Sequence, residues 1–137
     1  MIAKIHSTAV VVSDQEAAFK FYTEVLGWEK RTEARMSEDY RFLTVAPPGA
    51  ETELALEPAG VHGITTGSSN IFPASPMSPP ATGIALAVND IEATYQTLVE
   101  KGVKFSGPLQ DMPWGDKATW MFDSDGNAFF FIRKLAT

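Results

Sequence analysis

The feature that most constrains this chain is a strand-to-helix transition that occurs twice, 76 residues apart. Residues 4–12 (KIHSTAVVV) are rich in β-branched side chains and end at Ser13-Asp14, a pair with the chemistry of a helix N-cap. From Gln15 to Leu26 the apolar positions Ala17, Ala18, Phe21, Tyr22, Val25 and Leu26 recur at helical spacing, and Gly27 supplies the stop. Residues 28–36, 40–46 and 52–58 then read as strands, the last two joined by the tight APPGAE turn, so the order is βαβββ. The second half repeats it: GIALAVND, a helical stretch 91–101 closed by Gly102, and strand-like stretches near 103–107, 117–122 and 127–133. Setting Asp14 on Asp90 also superposes Val12 on Val88, Glu16 on Glu92, Ala17 on Ala93 and Phe19 on Tyr95. A unit repeated in this way implies an α+β chain of two tandem modules, 1–58 and 82–137, within a single domain of 137 residues.

Between the modules, residues 59–81 (AGVHGITTGSSNIFPASPMSPPA) are crowded with Gly, Pro and Ser and lack periodicity. They read as a linker, or as a lid loop bringing Ile71, Phe72 or Met77 to a pocket. No stretch reaches the roughly 18 apolar residues of a membrane helix, and the N-terminal apolar run is too short for a signal peptide. With no cysteine there is neither a disulfide framework nor a thiolate site, and a cytoplasmic location is expected. A net charge of −6 and a pI near 4.8 oppose nucleic-acid binding and make any charged partner a cation.

The stretch VVVSDQEAAFKFYTEVLGWE resembles the opening strand and helix of the vicinal oxygen chelate superfamily, the group of glyoxalase I, bleomycin-resistance proteins and extradiol dioxygenases. Its V-x-D, F-Y and L-G stand here as Val12, Asp14, Phe21, Tyr22, Leu26 and Gly27. VNDIEATYQTLVEKGVKF resembles the repeated helix, and FDSDGNAFFFI the closing D-P-D-G-N turn and strand, with Ser124 in place of the proline. VAPPGAETEL and PWGD are similar to a large glyoxalase-like or bleomycin-resistance-like subgroup. The resemblance covers all but the 59–81 loop. It implies two βαβββ modules forming curved mixed sheets around a cavity, helices on the convex side, commonly as a homodimer.

Metal-dependent members of that superfamily carry ligands on the first and fourth strands of each module, typically His or Gln and Glu. The resemblance puts those positions at Ser7, Gly83 and Phe130, none of them a usual donor, and leaves Glu57 as the one carboxylate, with Glu53 on the same face. His6 misses its position by one residue, which turns it to the other face unless a bulge shifts it. His62 lies in the loop. No metal and no cofactor is therefore expected, with a site of His6, Glu57 and His62 for a divalent metal as the alternative.

Positions in phase with Ser7, Gly83 and Phe130 are mostly small: Ala9 and Val11, Ala85 and Ala87, Ala128 and Ile132. The opposite phase carries Val10, Val12, Ile84, Leu86, Val88, Phe129 and Phe131, the bulky set expected against helices. Small residues leave room for a ligand or for side chains arriving from other strands. The residues expected to bind a ligand are Ser7, Arg41, Phe42, Phe72, Trp114, Trp120 and Phe130, with Tyr40 as a further polar anchor and Glu57 as the catalytic candidate. The leading expectation is a metal-independent small-molecule binder acting by sequestration, for an organic cation given the acidic balance, without nucleic-acid or membrane partners. The alternatives are a lyase, isomerase or dioxygenase with an atypical metal site or a metal-free Glu57 base, and a structural dimer with a filled cavity.

Overall fold

The computed structural model describes residues 1–60 and 69–134, which fall into two compact units divided between Ser69 and Asn70. The division lies inside the stretch read as a linker. Each unit is a mixed sheet with one principal helical segment, an α+β arrangement.

In the first unit β1 (Ser7–Val12) runs into α1 (Gln15–Lys20) through Asp14. Extended backbone at Asp14 lets its carboxylate accept the Ala17 N–H at 3.0 Å, as its residue type implied. The helix widens into a π-helical turn over Phe21–Val25, in which Tyr22 is completely buried with its ring 5.2 Å from Trp28. Three strands follow, β2 (Glu29–Arg35), β3 (Arg41–Ala46) and β4 (Glu53–Pro58). The sheet order is β1-β4-β3-β2, with β1 parallel to β4 and the other pairs antiparallel. In β2 two residues, Arg31 and Thr32, stand where the partner strand has Thr44 alone, a bulge.

The second unit repeats the topology: β5 (Ala85–Val88), α2 (Ile91–Glu100), β6 (Lys104–Phe105), β7 (Gln110–Asp111), β8 (Lys117–Phe122) and β9 (Ala128–Arg133), in the order β5-β9-β8-β6. Two details depart from the sequence reading. The strand expected near 103–107 is shortened to β6, and a second short strand that was not expected, β7, follows it, both paired to β8. Gly107-Pro108 stands at the break, where proline has no N–H for the ladder, and Thr119 Oγ1 holds the diverted Gly107 carbonyl at 2.8 Å. Asp90, aligned with Asp14 by the repeat, makes no side-chain cap and adopts a left-handed conformation (φ 44°), which aspartate tolerates better than most residues. The turn before β9 is closed by Asp123, which accepts the backbone N–H of Asp125 and Asn127 and the Asn127 amide, each at 2.9 Å. Ser124 in place of proline does not open it.

The core of each unit lies on the helix side. Val10, Val12, Leu43, Val45, Leu54 and Leu56 are buried in the first, and Val88, Ile91, Leu98, Met121, Phe129 and Phe131 in the second. In the opposite phase Ala9, Gly83, Ala85 and Ala87 are exposed, whereas Thr44, Ala55 and Ala128, farther into the sheets, are buried. Alternation along the strands therefore sorts the two faces as the residue sizes suggested.

Candidate functional site

On the first unit the face away from α1 is polar. Register places Ser7 beside Glu53, Ala9 beside Ala55 and Val11 beside Glu57 on one face, and adds Thr44 next to Ala55. Glu53 accepts hydrogen bonds from Thr44 Oγ1 at 2.6 Å and Thr32 Oγ1 at 3.1 Å. The Thr44 hydroxyl, the strongest influence, holds this carboxyl below its ordinary pKa against an opposing push from burial, with help from Thr32, His6 and Arg31. The bulge in β2 is what brings Thr32 into reach. Tyr40, just before β3, donates its hydroxyl to Glu57, 3.0 Å from each carboxylate oxygen. Burial, reinforced by that carboxylate, pushes the phenol up to about 12, so Tyr40 stays protonated at neutral pH.

Arg41 is elsewhere. Successive strand residues alternate, and Arg41 lies on the α1 side, opposite in direction to Phe42. Its guanidinium donates to Gln15 Oε1 at 2.9 Å, Glu33 at 2.7 Å and Glu16 at 2.7 Å. Gln15 in turn donates to the carbonyls of Arg41 and Leu56, tying α1 to β3 and β4. The recess beside this network, about 180 Å³, is lined by Glu16, Phe19, Lys30, Glu33, Arg41 and Leu43.

The second unit is different. Its helix-free face carries a recess of about 290 Å³ lined by Gly83, Ile84, Ala85, Trp120 and Phe130. Trp120 and Phe130 are cross-strand partners whose ring centroids are 4.8 Å apart at 46°. Phe72 lies against Gly83, so closely that a Cβ there would collide with its ring. Trp114 occupies the turn Met112–Asp116, more than half exposed and apart from the recess lining. That turn is pinned by Asp116, which accepts hydrogen bonds from Arg133 Nε at 3.0 Å and from Arg133 Nη2.

Of the residues expected to bind a ligand, the structure thus brings together Trp120, Phe130 and, at the edge, Phe72. Ser7 and Phe42 lie on the first unit's helix-free face, with Glu57. Gly83, read as a missing ligand, is instead a lining residue and the seat of Phe72. Its phase with Ala85 was legible in the sequence, whereas its contact with a residue of the loop was not.

The chelating positions implied by the superfamily do not fit a metal. Ser7 and Glu57 are four residues apart along paired strands, roughly 13 Å at the usual strand rise, too far to share one ion. Gly83 and Phe130 have no donor side chains. His6 is mostly exposed, with Nε2 3.8 Å from Glu53 rather than beside Glu57. His62 lies outside the described residues, among which no three His, Asp or Glu side chains converge as metal ligands would.

A family model described as the glyoxalase/bleomycin resistance protein/dioxygenase superfamily matches residues 4–131. Among solved structures, a member of that superfamily from Sphaerobacter thermophilus is 41% identical, with a TM-score of 0.84 and coverage of 97% of this chain and 98% of that one. TnmS3, an antibiotic-binding protein from a Streptomyces species, is 30% identical with a TM-score of 0.71, covering 98% of both chains. The Bacillus subtilis protein YetH, itself uncharacterized, is 33% identical over 129 residues, 94% of this chain and 97% of its own. With an α+β repeat of matching topology in both units and a family match over nearly its whole length, the chain belongs to the glyoxalase/bleomycin resistance protein/dioxygenase superfamily.

Proposed function

We propose that this protein binds a small organic molecule in the recess beside Trp120 and Phe130 and acts by sequestering it, without the metal used by other members of its superfamily. The observation that carries the reading is the recess itself: about 290 Å³, lined by Gly83, Ile84, Ala85, Trp120 and Phe130. That is the small end of the usual ligand-site scale, and its lining is apolar with two aromatic rings. Such rings bury large area and favour flat or cationic partners. The net charge of −6 favours a cationic ligand. An antibiotic-binding relative at 30% identity supports sequestration as the mode of action. The unsuitable donor set supports the metal-free form, and the Glu57 carboxylate already accepts the Tyr40 hydroxyl. A cytoplasmic location is supported by the cysteine-free sequence, and assembly as a homodimer by the family resemblance.

The test is titration with proflavine, a planar aromatic cation, against the anionic probe 8-anilinonaphthalene-1-sulfonate, followed by tryptophan fluorescence. Proflavine is expected to bind more tightly than the anion, and Trp120→Ala to weaken it about tenfold, the scale of a lost aromatic stack. Binding indifferent to Trp120 would overturn the recess as the site, and tighter binding of the anion would overturn the cationic preference. Light scattering of the same samples tests the dimer.

A further inference from the structure

Residues 70–83 form a closed strap on the second unit. At one end the Asn70 side chain accepts the Ala128 N–H at 2.8 Å and donates to the Gly126 carbonyl at 2.9 Å. At the other, Thr82 donates to the Ala128 carbonyl through its N–H at 3.0 Å and its hydroxyl at 2.8 Å. Both ends are thus fixed to the start of β9. Between them Phe72 pairs with Ala81 through two backbone hydrogen bonds of 3.0 Å, and Ser75 pairs with Ser78. Pro73, Pro76, Pro79 and Pro80 stiffen this hairpin, so its motion is that of a body turning about its ends.

The anchors and the tip differ in how firmly they are held. At the base Ala81 and Thr82 are buried while Ile71 and Phe72, next to the Asn70 anchor, are exposed at 76% and 55%, and at the tip Met77 is exposed at 67%. The tip reaches Trp120 through one long hydrogen bond, indole Nε1 to the Met77 carbonyl at 3.4 Å. That bond is weak by length. The strap therefore touches the recess at two lining residues: Met77 on Trp120 and Phe72 on Gly83. Gly83 makes the second contact available in two ways. Its φ of 84° lies where other residues are strained, and any Cβ would meet the Phe72 ring.

We infer that the Phe72–Ala81 hairpin is a strap controlling entry to the recess, and that Gly83 is the position whose missing side chain lets the Phe72 ring seat across the edge. Accepting a flat ligand on Trp120 and Phe130 requires the ring to lift from Gly83 and the Met77–Trp120 hydrogen bond to break. Once the ligand is in place the ring swings back toward its seat at Gly83. A strap of this kind slows entry and escape together.

This rests on the recess reading, and stopped-flow kinetics with proflavine separate the two. In the protein as it stands, Phe72→Ala is expected to raise both association and dissociation rates at least about fivefold, leaving Kd within about threefold, because it removes a gate more than a contact. Phe72 is more than half exposed, so this variant keeps the fold. Gly83→Ala, which unseats the ring, is expected to accelerate both rates in the parent and to add nothing in the Phe72→Ala background. A rise in dissociation alone, rates unchanged within twofold, or equal effects of Gly83→Ala in both backgrounds would overturn the strap while leaving a Trp120-dependent site intact. No binding of proflavine to the parent protein would overturn both.

Discussion

In the first unit the middle rows of the helix-free face hold Thr44 on β3 and Ala55 on β4, flanked along β4 by Glu53 and Glu57. In the second, the parallel pair Ala85–Phe130 stands where the first has Ala9–Ala55, and Trp120 stands beside Phe130 as Thr44 stands beside Ala55. The same register therefore matches Thr44 with Trp120, Ala55 with Phe130, Glu53 with Ala128 and Glu57 with Ile132. One topology carries a hydrogen-bonded acidic surface in one copy and an apolar aromatic recess in the other. On the helix side the opening strands of the two units do not diverge in this way: Val10 and Val12 match Leu86 and Val88, apolar in both. The lesson is that the fold constrains the face it buries and leaves the other to function.

That contrast can be broken most severely within β9. Phe131 is 2% exposed with its ring 5.2 Å from that of Phe105, and Phe131→Ala is expected to cost about 3–5 kcal/mol in urea denaturation, the range for a large core aromatic. Phe130→Ala, one residue away on the open face, is expected to cost well under half of that while weakening proflavine binding. Equal destabilisation by the two would mean that the recess is packing rather than a site.

The first unit's face is expected to matter for stability through its hydrogen bonds. Thr44→Val keeps the shape of a fully buried side chain but removes the 2.6 Å hydrogen bond to Glu53, with an expected cost of about 1–2 kcal/mol at neutral pH. Because Glu53 has its folded pKa lowered, it contributes stability above its unfolded pKa, and that contribution disappears as the pH falls through the lower folded value. The variant is therefore expected to lose less stability than the parent on acidification below about pH 4.5. Denaturation at a series of pH values checks this, and parallel curves would remove Thr44 as the cause of the shift.

Much of this was legible in the residues. The repeat, the Asp14 cap and the sorting of bulky and small positions followed from local chemistry. What escaped depended on register or on distant segments. Alternation already separates Arg41 from Phe42, but only the placement of Gln15, Glu16 and Glu33 shows that each guanidinium nitrogen donates to a partner on the helix side. Glu57 lies four residues from the level of Ser7 because β1 pairs Ser7 with Glu53, an offset no single strand encodes. The break between β6 and β7 was announced by Pro108, which the apolar pattern of 103–107 obscured. Gly83 looked like an empty position until the strap laid Phe72 on it.

Arg41 supplies the smallest effect and the sharpest separation of the two faces. Its side chain is 23% exposed and its partners Glu16 and Glu33 are 58% and 37% exposed, so solvent screens both ion pairs. Glu16 is the main reason its pKa is raised, and both pairs persist across the physiological range. Arg41→Gln is expected to cost about 0.5–1 kcal/mol at low ionic strength, less in high salt, through a looser junction of α1 with β3. Proflavine affinity is expected to stay within twofold, since Arg41 lies on the first unit's helix side and the recess is built wholly by the second unit. A larger loss of affinity in calorimetric titration, with stability corrected for, would tie the ligand to the first unit and erase the division of labour between the two copies.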